Sequence, residues 1–392
     1  MAQAAKSHDN VLGADARPSF FPVDGGESLI APPPDRLGQA VRFAARSLSV
    51  MQKEGLVASS ASGQVWRVVS DEGAYLDGFN EAPCPLSFLT VGMVSSYMTE
   101  LLALAEQRGI AIDHVELVQD NYYTMKGSAL KGTMTGGAKD VELEARIDSP
   151  ADAETLRALV YDAVAASPLN GLMRGEKDSL FTLTHKGRQV IPDKARPVQR
   201  EVPPDPAPTI EGVHPLACEA IPVRGDMSPL TDEATSSQGS SLAEEQDRVL
   251  HIRGICTVRE DGVKQVEQQL FNPHGSIFHF LCDEEGRAPD AVSYMAAGIG
   301  FCFMTQLGRY AKIAKKHLAA YNVVQDIHFT LGGASGGTGQ AGKADPVETH
   351  VYLDSDENAE FARAALDMGE QTCFLHAFCR TDLKARVKVV KA

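Results

Sequence analysis

A chain of 392 residues exceeds what one ordinary core fills and suits two domains. With 43 % apolar and 23 % charged residues it has the make-up of a soluble globular protein, which excludes a fibrous or wholly disordered chain. A formal net charge of −15 repels phosphate backbones, and no basic, aromatic-interleaved patch offsets it, so nucleic acid is not an expected partner.

Residues 1–36 include Pro32-Pro33-Pro34 and lack the basic start and continuous apolar stretch of a signal peptide; they read as a mobile tail on a cytoplasmic protein. Alternation over Gly63–Val69 predicts a strand. Residues 85–108 predict a long helix, apolar on nearly all sides at first and amphipathic later, with its first half buried. His114–Tyr123 and Val141–Ile147 pair as a hairpin, and a last helix opens at Ser149 with acidic residues in its first turn. Residues 193–242, rich in proline and then in Ser, Thr and acidic residues, read as a linker in which Val213–Val223 is apolar enough to dock on a domain. The same order then returns: a strand at Ser276–Leu281, a helix over 291–316, a hairpin of 323–331 with 348–353, and a last helix from Ser355. The longest apolar run, Met295–Met304, falls far short of the roughly 20 residues that span a bilayer; it reads as a buried helix, and no membrane span is expected. The fold class is α+β, with two helices of each unit packed against an antiparallel sheet.

The recurrence has a register. Gly92, Met98, Thr99 and Leu101 return 206 residues later as Gly298, Met304, Thr305 and Leu307. Val118-Gln119-Asp120 returns as Val324-Gln325-Asp326, Asp148-Ser149 as Asp354-Ser355, and Arg174 as Arg380. One register held this long reads as two copies of one domain, residues 37–192 and 243–392.

Seven cysteines, scattered and odd in number, are not the framework of a small secreted domain. In the shared register Cys302 stands opposite Ser96, and Cys373, placed inside the last helix, opposite Ser167. Either thiol alone reads equally well as core filler, since free cysteine packs like a small hydrophobe. Their joint replacement by serine favours a redox pair, because two thiols that work together have no separate use. Cys84, Cys218, Cys256, Cys282 and Cys379 lack this pattern and read as structural or incidental.

"AAGIGFCF" (Ala296–Phe303) and "TCFLHA" (Thr372–Ala377) resemble the two cysteine motifs of the osmotically inducible protein C and organic hydroperoxide resistance (OsmC/Ohr-like) thiol peroxidases. Phe374 stands where that family has proline, a proline that copy one keeps as Pro168. The resemblance implies an intertwined dimer with sites at the subunit interface, so that a tandem duplication would fold as an internal pseudo-dimer in which copy one completes the site of copy two. It also implies that the Cys302 thiolate attacks a peroxide, that Cys373 condenses with the resulting sulfenic acid, and that an external dithiol, such as a lipoyl-type reductant, restores both. No bound cofactor or metal is implied. The implied partner is an organic or lipid hydroperoxide, held near Phe301 and Phe303 in an apolar pocket. An arginine in a context like "GRDG" activates the first cysteine in the family, and Arg259 in "VREDG" takes that role here; a solvated turn charge is the competing reading. The family's orienting glutamate corresponds to Val292, with Asp290 as the nearest acid.

"GGASGGTGQAGKADP" (Gly332–Pro346) comes close to a phosphate-binding loop, but Ala344 replaces the hydroxyl residue and a strand follows, so it reads as a hairpin loop. Of 11 histidines, seven lie in copy two (His251, His274, His279, His317, His328, His350 and His376), in no zinc spacing; haem ligation by one such as His279 stays open. Two functions follow. The first is a cysteine-based hydroperoxide reductase with one competent site per chain. The second is a protein that binds a small apolar or oxidised ligand, or senses redox state, without turnover.

Overall fold

The structure is a computed structural model that describes residues 9–49, 51–230 and 240–391; those parts of the tail and linker readings that fall on residues 1–8 and 231–239 lie outside the described residues. Strands in chain order are β1 (Phe21–Pro22), β2 (Gly38–Ser49), β3 (Gln52–Ser59), β4 (Val65–Ser70), β5 (His114–Ser128), β6 (Thr135–Ala138), β7 (Val141–Asp148), β8 (Leu180–His185), β9 (Arg188–Val190), β10 (Arg196–Pro197) and β11 (Val223–Met227), followed by β12 (Glu245–Val258), β13 (Lys264–Asn272), β14 (Ser276–Cys282), β15 (Ala320–Thr330), β16 (Glu348–Asp354) and β17 (Ala385–Lys391). The helices are α1 (Val11–Ala14), α2 (Pro85–Arg108), α3 (Ala153–Ala166), α4 (Ala207–Ile210), α5 (Ala291–Ile313), α6 (Ala359–Thr372) and α7 (Phe374–Arg380).

Strands from both halves of the chain build each of two sheets. One runs β1-β4-β3-β2-β15-β16-β8-β10, with β9 on β8; the other runs β11-β14-β13-β12-β5-β7-β17, with β6 on β5. The joins are long antiparallel ladders, β2 with β15 and β12 with β5. The expectation of purely antiparallel sheets is corrected. β8 lies parallel to β16 and β17 parallel to β7, because each strand that follows a last helix crosses to the far half instead of folding back on its own.

α5 packs on β2, β3 and β15, α2 packs on β5, β12 and β13, and the two helices pack on each other between the sheets. The shared glycines make that contact. A Cβ on Gly92 would come within 2.7 Å of the Ala291 carbonyl oxygen, and one on Gly298 within 3.0 Å of the Leu89 nitrogen. α2 and α5 are long and apolar enough to cross a membrane by length and composition; here they lie largely or wholly buried in the protein core.

The last helices begin later than expected. Asp152 and Asn358 cap α3 and α6, because their side chains reach the free first-turn amides. Ser149 and Ser355 donate instead to the carbonyls of Ala111 and His317, both at 2.6 Å. All three pairs keep the 206-residue register. The segment Gly332–Pro346 joins the paired strands β15 and β16, and the buried Glu100 carboxylate accepts the Ala334 and Ser335 amides.

The tail and linker readings are corrected where they fall on described residues. Phe20 is fully buried among Phe88, Phe280 and Tyr294, β1 pairs with β4, and Arg67 reaches the Pro18 and Ser19 carbonyls. In the linker, Ile210, Val213 and Ile221 are buried and β11 pairs with β14. Apolar side chains spaced along both segments outweigh the proline content that suggested mobility.

Candidate functional site

Cys302 lies in the fourth turn of α5, where nearly every side chain is buried. Cys373 is not inside a helix, contrary to expectation. It ends α6 and caps α7, and this break turns its sulfur toward Cys302. The two thiols lie close enough to act on each other's ionisation, and the Leu375 backbone acts on that of Cys302. At the matching place in the first half, the Ser96 and Ser167 hydroxyls meet at 2.7 Å. The pairing geometry is thus present twice, with sulfur in one instance.

The protonation pattern reverses the expectation of an activated Cys302. Burial drives its pKa well above the ordinary thiol value, and the neighbouring Cys373 sulfur and Glu72 add to that. Burial also opposes ionisation at Cys373, but the hydrogen bond from Cys302 and the His376 side chain and N–H outweigh it, and its pKa falls well below the ordinary value. His376 supplies Nδ1 at 3.2 Å and its backbone N–H at 3.5 Å. Its ring lies against those of Phe181 and Phe303. The two shifts thus run in opposite directions, with ionisation disfavoured at Cys302 and favoured at Cys373.

Arg259 does not join them. Its guanidinium pairs at the surface with Glu219 at 2.8 Å and Asp261 at 2.7 Å, which corrects the role assigned to it. A buried cation within electrostatic reach of Cys302 is Lys53, which donates to the Met51 carbonyl beside Asp71 and Glu72. Burial, partly offset by these acids and by Cys302, lowers its pKa. Ladder positions explain the mistake. Lys53 ends its pairing opposite Ser70, as Lys264 does opposite Cys282, so before the central helices the repeat runs 211 or 212 residues instead of 206. Arg259 lies in the β12–β13 turn, and the register changes later, between β4 and α2 and between β14 and α5.

Glu72 is another residue that this register shift concealed. Its carboxyl accepts Thr305 Oγ1 at 2.9 Å and the Tyr75 hydroxyl at 2.8 Å, and Thr99 donates to Glu284 in the same manner at 3.1 Å. Burial raises its pKa against the pull of Lys53. Asp290 instead caps α5 through the Ser293 amide, and Val292 is buried in the core.

Cys302, with 2 % of its surface exposed, lines a narrow cleft bounded by Leu86, Leu250, Leu270 and Phe374 on apolar walls and by Glu72, Arg248 and Arg309. Phe301 and Phe303, expected to line it, pack instead on Phe43 and Phe88 and on Phe181. Cys84 shares the cleft, but burial pushes its thiol to about 11, which leaves it unreactive at neutral pH.

Residues 284–388 match the family model of OsmC-like proteins. The OsmC-like segment holds both thiols, Thr305, Arg309 and His376, whereas Glu72 and Arg248 reach the cleft from outside it. A crystal structure of an OsmC-like hydroperoxide resistance protein from Jannaschia sp. CCS1 is similar at 20 % identity, over 33 % of this chain and 83 % of that one, with a TM-score of 0.21. No curated protein matches the sequence.

Among the described residues no three His, Cys, Asp or Glu side chains are grouped to hold a metal ion. His251 is bonded to Asp120, His350 to Thr182 and His274 to the Ser228 carbonyl.

Proposed function

We propose that the chain is two fused OsmC-like domains arranged as an internal pseudo-dimer, and that Cys302 and Cys373 reduce organic or lipid hydroperoxides with electrons from an external dithiol, possible types including a lipoyl-bearing one. The observation that carries the reading is the closeness of the two thiols of the OsmC-like segment beside a cleft that Cys302 lines, mirrored by a hydroxyl pair that cannot be oxidised. The internal repeat of caps, serine bonds and strand exchange supports the fusion.

In this reading the Cys373 thiolate, held by His376, takes the proton of Cys302. The Cys302 sulfur then attacks the distal peroxide oxygen, the O–O bond breaks, and the alkoxide leaves as the alcohol with the proton that Cys373 had taken. Cys302 is now a sulfenic acid. Cys373, again a thiolate, attacks the Cys302 sulfur and expels hydroxide, which takes a proton from solvent, and a disulfide is left. The dithiol reduces that disulfide and is itself oxidised. Lys53 and Glu72 shape the field over the sulfur. The reaction needs no bound cofactor and runs in a cytoplasmic reducing environment.

The burial of both sulfurs favours a second reading, redox sensing or ligand binding without turnover. A coupled assay with cumene hydroperoxide and dihydrolipoamide separates the two. Sustained consumption that Cys302→Ser abolishes supports the peroxidase; a single oxidation per chain with no consumption under several dithiols supports the sensor.

A further inference from the structure

Seven residues beyond Cys302 on α5, about 10 Å along the helix axis, Arg309 lines the same cleft with 2 % of its surface exposed. Arg248 meets it there from β12. Arg309 donates through Nε to the Ser241 carbonyl at 2.6 Å, and through Nη1 to Gln306 Oε1 at 3.2 Å and Met125 Sδ at 3.8 Å. Arg248 donates through Nη1 to Ser241 Oγ. Among the described residues, Arg309 Nη2 and Arg248 Nε have no partner although both are buried.

Two like charges in a buried cleft with unused donors are costly unless an anion joins them. Burial and the neighbouring Arg248 lower the pKa of Arg309 to about 9. The carboxyl that shares the cleft, Glu72, spends its bonds on Tyr75 and Thr305 and not on either guanidinium. A planar carboxylate fits forked guanidinium donors better than a neutral oxygen does. Between these donors and Cys302 the cleft has Thr305 and Gln306 on the helix side and apolar walls from Leu250, Leu270 and Phe374.

We infer that Arg248 and Arg309 form a carboxylate-binding subsite, so that the ligand of this cleft is an amphiphilic acid whose headgroup sits on the arginines and whose chain runs toward Cys302. This rests on the peroxidase reading only for its consequence, that an acid hydroperoxide is preferred to its ester.

Calorimetry on the reduced full chain with decanoate and decan-1-ol tests the subsite without turnover. Decanoate should bind about tenfold more tightly or better, the gain of one charge-assisted hydrogen bond, and Arg309→Met or Arg248→Gln should erase the difference. Equal affinities in the wild type would overturn the subsite, whether or not the variants fold. In turnover, a fatty acid hydroperoxide should exceed its methyl ester in kcat/KM through KM, and the ratio should fall toward unity in either variant. A decanoate preference with no peroxide consumption would retain the subsite and remove the peroxidase; consumption with no acid preference in binding or turnover would do the reverse.

Discussion

The Ser96 and Ser167 hydroxyls lie 2.7 Å apart, in the positions that Cys302 and Cys373 occupy 206 residues later. The backbone of the first half therefore already holds two side chains at bonding distance. With Cys302 and Cys373 changed to Ser, Ser96→Cys with Ser167→Cys should form a disulfide under diamide, seen by peptide mapping. Its oxidation by peroxide should be slower than that of the native pair by about a hundredfold or more, because Asn170, bonded to Tyr97, stands where the second half has His376. Equal peroxide rates would remove His376 from the chemistry.

The direction of the Cys373 shift sets the pH dependence. Its pKa is lowered, so the thiolate that accepts the Cys302 proton is complete above that pKa and is lost as pH falls through it. Peroxide consumption should therefore hold through neutral pH and decline only on acidification, well below the ordinary thiol value of about 8.5. His376→Asn should move the decline to higher pH and cost about a hundredfold at neutral pH. A stopped-flow pH series reads both.

Phe20 belongs to the core. Phe20→Ala should cost about 3–5 kcal/mol in urea unfolding, whereas a substitution on a mobile tail would stay within about 0.5 kcal/mol.

The contact of α2 with α5 leaves no space at Gly92. Gly92→Ala, which drives a methyl toward the Ala291 carbonyl oxygen, should cost about 1–3 kcal/mol, read from the same unfolding curves. A neutral effect would mean that the helices can part without penalty.

The central helices and the hairpins were legible because each rests on local pattern. The serines opposite Cys302 and Cys373 were legible in the sequence, and their own contact in the structure was not. Strand exchange was not, since nothing local tells β2 to pair with β15 rather than within its own half. Arg259 was singled out by its "VREDG" context, whereas Lys53 and Glu72 were hidden because the register changes between Glu72 and Ala82. Arg248 and Arg309 carried no sequence signal beyond charge on an amphipathic pattern. Phe20-Phe21 did carry one, an aromatic pair that the neighbouring prolines masked.

The most direct test of the central claim mixes the reduced full chain with an equimolar organic hydroperoxide, quenches by acid and alkylation, and maps the cysteines. The account predicts a Cys302 to Cys373 disulfide formed together with peroxide loss, and a Cys302 sulfenic acid that persists in Cys373→Ser. Both cysteines recovered as free thiols with the peroxide intact would contradict it.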